Sequence, residues 1–269
     1  MKISIAVAGK GGTGKTTLAA LLVRALLERG VRPVLAVDAD PNSNLAEALG
    51  AEPPRPLAEI REHGSTPEGS PPSGVGRIRA VGDEIQRAIV EAEGFDLIAM
   101  GRPEGPRCYC AVNTLLRKSL DDLAGNYAAV VLDNEAGMEH LSRRTTNDVD
   151  FLVAVMNPTL PSFRAAQRAL ALSRELPVRI GHRAVLVTRV GPGGLPEPIL
   201  RELAAIDAER LPDVPQDDAV ERAGTLAGSV FALPGQTPAL AAVKEVVERL
   251  CAVSSAGVGA EIVKTGGVQ

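Results

Sequence analysis

The sequence predicts an α/β fold: one domain built on a mostly parallel β-sheet with helices on both faces. Three observations carry this. Short apolar runs recur along the chain, segments with helical spacing separate them, and polar clusters follow the apolar runs. Runs without polar alternation suit strands buried on both faces. Strand–helix–strand units joined by right-handed crossovers build such a sheet, and ligands bind beyond the carboxyl ends of its strands.

The elements follow in order. Lys2–Ala8 reads as the first strand. Thr16–Arg29 has helical spacing and stops at Gly30, a residue suited to the left-handed end of a helix. Pro33–Val37 is a short apolar strand, Asp38–Asn44 a polar turn and Leu45–Leu49 a short helix. Ala51–Gly76 is rich in Pro, Gly, Ser and Glu and reads as a loop or mobile insertion. Phe95–Met100 is a strand, Ala111–Ala124 a helix, and Ala128–Leu132 an apolar strand that ends at Asp133. Phe151–Met156 and Ala184–Thr188 are two more strands, with helical spacing over Ser162–Glu175 between them. Ala239–Leu250 is the last helix, and the small, polar Ser254–Gln269 is expected to be disordered. The domain is thus placed at 1–252, with the insertion at about 51–76 and a disordered tail at 253–269.

Composition narrows the function. The chain is 45% hydrophobic and 23% charged, enough apolar material for 269 residues to bury a core of their own. Aromatic residues make up 2% and there is no Trp, so the rings that stack single-stranded bases are scarce. The formal net charge of −4 gives no bulk attraction to nucleic acid or acidic membrane. No apolar stretch reaches the length of a membrane span, and the first strand begins without a signal-peptide pattern. A cytoplasmic protein without nucleic-acid or membrane partners is expected. Three cysteines are too few for a disulfide framework; Cys251, near the end of the last helix, reads as core.

The most specific signal follows the first strand. Gly9-Lys10-Gly11-Gly12-Thr13-Gly14-Lys15-Thr16-Thr17 matches the phosphate-binding pattern G-x-x-x-x-G-K-[ST] in full, with strand before and helix after. Its four glycines permit positive φ values, so successive N–H groups can form an anion nest, and the helix dipole adds to the field there. Lys15 is placed to reach the β- and γ-phosphates of a nucleotide and the Thr16 hydroxyl to ligate Mg²⁺. A second lysine, Lys10, lies one residue into the loop and suggests an ATPase that works as a face-to-face dimer.

Two carboxylate clusters belong to the same chemistry. Asp133 at a strand end is suited to hold Mg²⁺ through a water. Asp38-Ala39-Asp40-Pro41-Asn42 places two carboxylates on a loop near the phosphates, where they can bind Mg²⁺ and position the attacking water; Asp40 is the favoured water-positioning group. The alternative is an Asx-turn and a helix N-cap supplied by Asn42 or Ser43.

Cys108-Tyr109-Cys110 is a separate signal. In extended backbone, residues two apart point to the same side, so two thiolates can offer two ligands to one soft or borderline metal. A twofold dimer would bring two such pairs into a four-sulfur site; the alternative is a pair of semi-buried cysteines packing as small hydrophobes. Arg102 and Arg107 nearby favour thiolate.

With these residues in view, the chain resembles the deviant Walker A class of P-loop ATPases, which includes the nitrogenase iron protein, the division-site and plasmid-partition ATPases and the arsenite pump ATPase. Arg102-Pro103-Glu104-Gly105 ahead of Cys108-Tyr109-Cys110, and Asp133-Asn134-Glu135-Ala136-Gly137-Met138, resemble the CooC-type ATPases, which help insert nickel during maturation of carbon monoxide dehydrogenase. The resemblance runs from Met1 to about Leu250. It implies that Lys10 crosses a homodimer interface to the partner's nucleotide and that Lys15 and Thr16 hold phosphates and Mg²⁺. It implies that Asp40 serves hydrolysis in a first switch, and that Asp133 to Gly137, with Glu135 and Gly137 close to the nucleotide, form a second. Cys108 and Cys110 would meet their twins to bind Ni²⁺ or Zn²⁺ between subunits. Where relatives often place an adenine-reading Asn, this chain has Thr188-Arg189; Thr188 keeps a hydrogen-bonding group there, and Pro234 is a candidate to pack on the base. ATP would close the dimer, hydrolysis would reset it, and carbon monoxide dehydrogenase or a related nickel enzyme would be the client. Two other readings are an iron–sulfur reductase component like the nitrogenase iron protein and a positioning ATPase that binds membrane or DNA. The reductase draws its two cluster cysteines from separate loops, and the Gly-rich tail with Lys264 lacks a basic amphipathic face.

Overall fold

The computed structural model describes residues 2–59, 75–101, 122–135, 148–176, 178–226 and 228–264. The expected architecture is present. The described elements are β1 (Ile3–Gly9), α1 (Lys15–Glu28), β2 (Val34–Ala39), α2 (Leu45–Leu49), α3 (Val75–Ala88), β3 (Val90–Ala92), β4 (Phe95–Ala99), β5 (Ala129–Asn134), β6 (Asp148–Met156), α4 (Leu160–Leu172), β7 (Arg179–Val187), α5 (Glu197–Ala204), β8 (Glu209–Arg210), α6 (Asp218–Thr225), a 3₁₀ turn at Val230–Ala232, and α7 (Pro238–Lys264). The strands form one eight-stranded sheet in the order β3-β4-β2-β5-β1-β6-β7-β8. All pairings are parallel except β3 with β4, where an antiparallel hairpin closes one edge.

The strand period of two sorts the core into layers. Ile3, Ile5 and Val7 of β1, Val34 and Ala36 of β2, and Ala129 and Val131 of β5 lie in one apolar cluster with α1, α2 and α7. The intervening residues Ala6, Ala8, Leu35, Val37, Val130 and Leu132 lie in a second cluster on the opposite face. Beyond β1, Ala154, Met156, Val185 and Val187 pack on Phe163, Ala166 and Leu170 of α4 and on Ile199 and Leu203 of α5. Leu18, Leu22 and Leu26 of α1 are at most 2% exposed, each worth about 2 kcal/mol of burial. Buried Arg24 bonds the Val230 and Leu233 carbonyls and pairs with Glu28 at 2.7 Å, tying α1 to the 3₁₀ turn. The α1 helix stops as expected: Gly30 is left-handed (φ 83°), and Val31 N–H reaches back to the Leu26 carbonyl at 3.0 Å.

Several elements differ from expectation. β3 and β8 are short edge strands of two or three residues, too brief to show a period. α5 and α6 each span eight residues with few apolar positions, and pattern alone did not mark them. α7 continues past Leu250 to Lys264, so the stretch from 253, expected to be disordered, is helical over its first part; Gly257 and Gly259 each oppose a helix by about 1 kcal/mol, and the helix runs through them by extension of the turns α7 has already formed. Of the insertion at 51–76, residues 60–74 lie outside the described residues, and residues 75–76 open α3. The helix expected over Ala111–Ala124 lies outside them as far as residue 121.

Five adjacent central strands, β2, β5, β1, β6 and β7, bring their carboxyl ends to one edge. The glycine loop leaves β1 there, between the acidic ends of β2 and β5 on one side and the end of β7 on the other.

Candidate active site

The loop is shaped by three positive-φ glycines. Gly9 (φ 152°) sits where β1 passes β6, and a Cβ there would stand 2.3 Å from the Val155 carbonyl oxygen. No side chain fits, so glycine is required by contact as well as by φ. Gly12 (φ 79°) bends the loop, and Gly14 (φ 84°) is the left-handed N-cap of α1, with no side-chain cap on the helix's first N–H groups. An uncapped helix start leaves those donors for an anion. Inside the loop, the Thr13 hydroxyl donates to the Lys10 carbonyl at 2.8 Å. Gly11 lies at the open tip. Lys15 is buried, Thr16 and Thr17 are half-buried, and Lys10 is exposed at the mouth of a cavity of about 490 Å³ that Arg164 and Arg168 of α4 also line.

The acidic side of the site is Asp38 and Asp133, in register on neighbouring strands. Asp133 is fully buried, and neither of its carboxylate oxygens has a hydrogen bond among the described residues. Burial pushes its pKa up to about 7; the Thr16 side chain and Lys15 work against this, and the charges of Asp38 and Asp40 work with it. Thr16 thus lies close enough to favour the charged form without closing a bond of ordinary geometry. Asp38 is 1% exposed, and burial raises it to about 6, partly offset by the N–H groups of Leu45 (2.9 Å) and Asp40 (3.1 Å). Asp38 therefore folds the switch-like turn as well as facing Asp133. Asp40 is half-buried and accepts from both the backbone and the side-chain N–H of Asn42 at 2.9 Å, so the Asx-turn is made by Asp40; the N-cap of α2 is Asn44, without a side-chain bond, so neither Asn42 nor Ser43 caps the helix. Glu135 is half-buried directly after β5. Asn134, the second residue of the motif that starts at Asp133, is fully buried: its amide donates to the Val7 carbonyl at 3.2 Å, and its Oδ1 has no partner among the described residues.

On the other flank a second cavity, of about 510 Å³, opens between the start of α1 and the start of α6. Thr17, Leu21, Val214, Pro215 and Glu221 line it together with Thr188 and Arg189. Asp217 also lines it, with its carboxylate already engaged: it caps α6 through Ala219 N–H (2.9 Å) and accepts from Ala239 N–H at the start of α7 (3.0 Å). Burial opposes the Asp217 charge, but these N–H groups, Val220 N–H and the Thr237 side chain hold its pKa below the usual carboxylate range. Pro234 is exposed and is not among the residues lining the cavity; Pro215 is. An Asp ahead of a helix is a readable N-cap signal, but the contact of Asp217 with α7, 22 residues on, is tertiary. Gly137, Cys108 and Cys110 lie outside the described residues.

Comparison with known proteins agrees with this geometry. A family model described as CobQ/CobB/MinD/ParA nucleotide binding domain matches residues 4–227. An uncharacterized ATP-binding protein of Methanocaldococcus jannaschii is 42% identical over 190 residues, which cover 70% of this chain and 75% of that protein. The carbon monoxide dehydrogenase accessory protein CooC of Rhodospirillum rubrum is 35% identical over 189 residues, 66% of this chain and 71% of CooC. Among solved structures, the septum site-determining protein MinD of Pyrococcus horikoshii with Mg-ADP shares the fold with a TM-score of 0.67 at 20% identity, over 93% of this chain and 96% of MinD. Cobyrinic acid a,c-diamide synthase of Mycobacterium smegmatis with ADP and magnesium shares it with a TM-score of 0.65 at 20% identity, over 96% of this chain and 97% of the synthase. Among the described residues, no helix is long and apolar enough to cross a membrane. A glycine loop against a parallel sheet, an uncapped helix start behind it, and a family match over more than four-fifths of the sequence make this chain a P-loop ATPase of the CobQ/CobB/MinD/ParA nucleotide-binding family.

Proposed function

We propose that this ATPase is a cytoplasmic maturation factor that couples ATP-driven homodimerisation to nickel insertion into carbon monoxide dehydrogenase or a related nickel enzyme. The observation that carries its nucleotide chemistry is Asp133: a buried carboxylate without a hydrogen bond among the described residues, within the field of Lys15 and beside Thr16. A charge so placed is costly unless a cation meets it. These residues fit Mg²⁺. Among the described residues no three His, Cys, Asp or Glu side chains converge on one point, and Mg²⁺ in such sites takes one or two protein ligands plus water and phosphate oxygens. Thr16 and Asp133, directly or through water, would hold it; when bound it supplies charge neutralisation at the β- and γ-phosphate oxygens.

The remaining roles belong to the chain's own groups. Lys15 and the loop N–H groups from Gly9 to Thr17 bind and orient the phosphates. Asp40 orients the water that attacks the γ-phosphorus, and the bond to the ADP oxygen breaks to give ADP and phosphate. Lys10, exposed at the loop tip, reaches the nucleotide of the second subunit. Asp38 and Glu135 with Gly137 carry the nucleotide state into the two switch segments. Cys108 and Cys110, four sulfurs in a dimer, take the Ni²⁺ (or Zn²⁺) cargo as thiolates.

The support for the client is the 35% identity to CooC together with the Cys-x-Cys motif. Calorimetric nickel titration with and without ATP and Mg²⁺ tests it. One high-affinity nickel per two chains, lost when Cys108 and Cys110 become serine, is the expected result. An air-sensitive brown protein with iron–sulfur absorption, or ATP-dependent sedimentation with liposomes or DNA, would contradict it.

A further inference from the structure

Two consecutive residues at the end of β7 hold the outer side of the phosphate loop. The Thr188 hydroxyl donates to the Thr13 carbonyl at 2.8 Å, and the Arg189 guanidinium donates to the Gly12 carbonyl at 3.0 Å. Thr188 is itself anchored, its N–H on the Met156 carbonyl at 2.8 Å, and it is 6% exposed. Arg189 has φ 55°, a left-handed conformation uncommon for a residue with a side chain. That turn carries its side chain back over the loop.

We propose that Thr188 and Arg189 form a clasp that fixes the phosphate loop in its anion-binding curvature, as positioning residues for the triphosphate rather than readers of the base. In a trans peptide the carbonyl and the next N–H point in opposite directions. Holding the Thr13 carbonyl outward therefore holds the Gly14 N–H toward the phosphate side. Gly12 and Gly14, both at positive φ, carry no side chain to resist a peptide flip. An external hold does for this loop what side-chain bulk cannot. The Thr188 hydroxyl has one proton, and the Thr13 carbonyl at 2.8 Å stands nearer to it than the Met156 carbonyl at 3.2 Å, so Thr188 meets a base only as an acceptor. Donation to a base then falls to other walls of the cavity, which Pro215 and Glu221 also line. The proposal rests on nucleotide binding alone and stands whichever client or metal the protein serves.

Inorganic tripolyphosphate, which has no base, separates the two roles. Binding of tripolyphosphate, ATP and GTP is measured by calorimetry for the full chain and for Thr188→Ser, Thr188→Val, Arg189→Lys and Arg189→Ala. The clasp predicts that Arg189→Ala and Thr188→Val each weaken all three ligands by the same factor, about fivefold for the loss of one hydrogen bond. It predicts that Thr188→Ser, which keeps the hydroxyl, matches the parent, and that Arg189→Lys recovers only part of the loss. Tripolyphosphate binding unchanged while the ATP-to-GTP ratio collapses would overturn the clasp and return Thr188 to base reading. Full recovery by lysine would show that Arg189 acts through charge alone. Arg189 is exposed, so its variants fold, and the test does not hang on Thr188→Val.

Discussion

Asp38 and Asp133 stand opposite each other on adjacent parallel strands, both buried and both raised in pKa, at the foot of a glycine loop that carries Lys15. Two carboxylates in register, one of them without a hydrogen bond among the described residues, are a poor choice for stability and a good one for a cation that arrives with a nucleotide.

The folded nucleotide-free protein therefore binds more protons than the unfolded chain between about pH 4 and pH 7, since burial raises Asp38 to about 6 and Asp133 to about 7. A raised pKa in the fold means stability that is present at low pH and lost as pH rises through the folded value. The apo protein should melt roughly 10 °C lower at pH 8 than at pH 5. Asp133→Asn should flatten this dependence. Calorimetric melting across that range checks it, and a melting temperature that rises with pH would contradict it.

Lys15→Ala should weaken ATP and ADP binding at least a hundredfold, because a buried cation in the anion nest is lost. Lys10→Ala should leave binding within about threefold, the change expected of a surface charge, while ATP no longer shifts the protein to a dimer in sedimentation velocity. An unaltered dimer in the Lys10 variant would remove its cross-interface role.

Asp40→Asn should keep nucleotide affinity and reduce kcat by about a hundredfold, the scale of a lost general base or water-orienting group. Asn still accepts from Asn42, so the turn survives and the loss reads on the chemistry. A fall in affinity with kcat unchanged would make Asp40 a folding residue of the turn.

Gly9→Ala should cost about 3 kcal/mol or abolish folding, since its Cβ would meet the Val155 backbone oxygen at 2.3 Å. Gly11→Ala, with nothing near the added atom, should leave the melting temperature almost unchanged. Equal stabilities would contradict the close passage of β1 and β6.

Much of this site is legible in the sequence because its signals are local. The loop from Gly9 to Thr17, the apolar strands before Asp38 and Asp133, and the Asx-turn at Asp40 are each read within a few residues, and the sheet then places them on one edge. What escapes is tertiary. The second cavity is walled by Pro215 and Asp217, set against α1 by long-range contacts such as the bridge of Pro215 to Val190, not through any motif. Asn134 is buried by its place in the central sheet, while the sequence shows only an amide between two acids. Thr188 stands where relatives read the base; only the fold shows its hydroxyl within bonding distance of the Thr13 and Met156 carbonyls. The short helices α5 and α6 escaped for a simpler reason, since eight residues give barely two turns of period.

The claim on which the functional account turns is that a triphosphate draws two chains together around one metal ion. Sedimentation velocity with a non-hydrolysable ATP analogue, Mg²⁺ and limiting nickel, read together with the metal content of the dimer peak, tests this directly. The account predicts a dimer holding one nickel per two chains, absent from the Cys108→Ser/Cys110→Ser variant; a monomer that binds nickel with the same stoichiometry with or without nucleotide would contradict it.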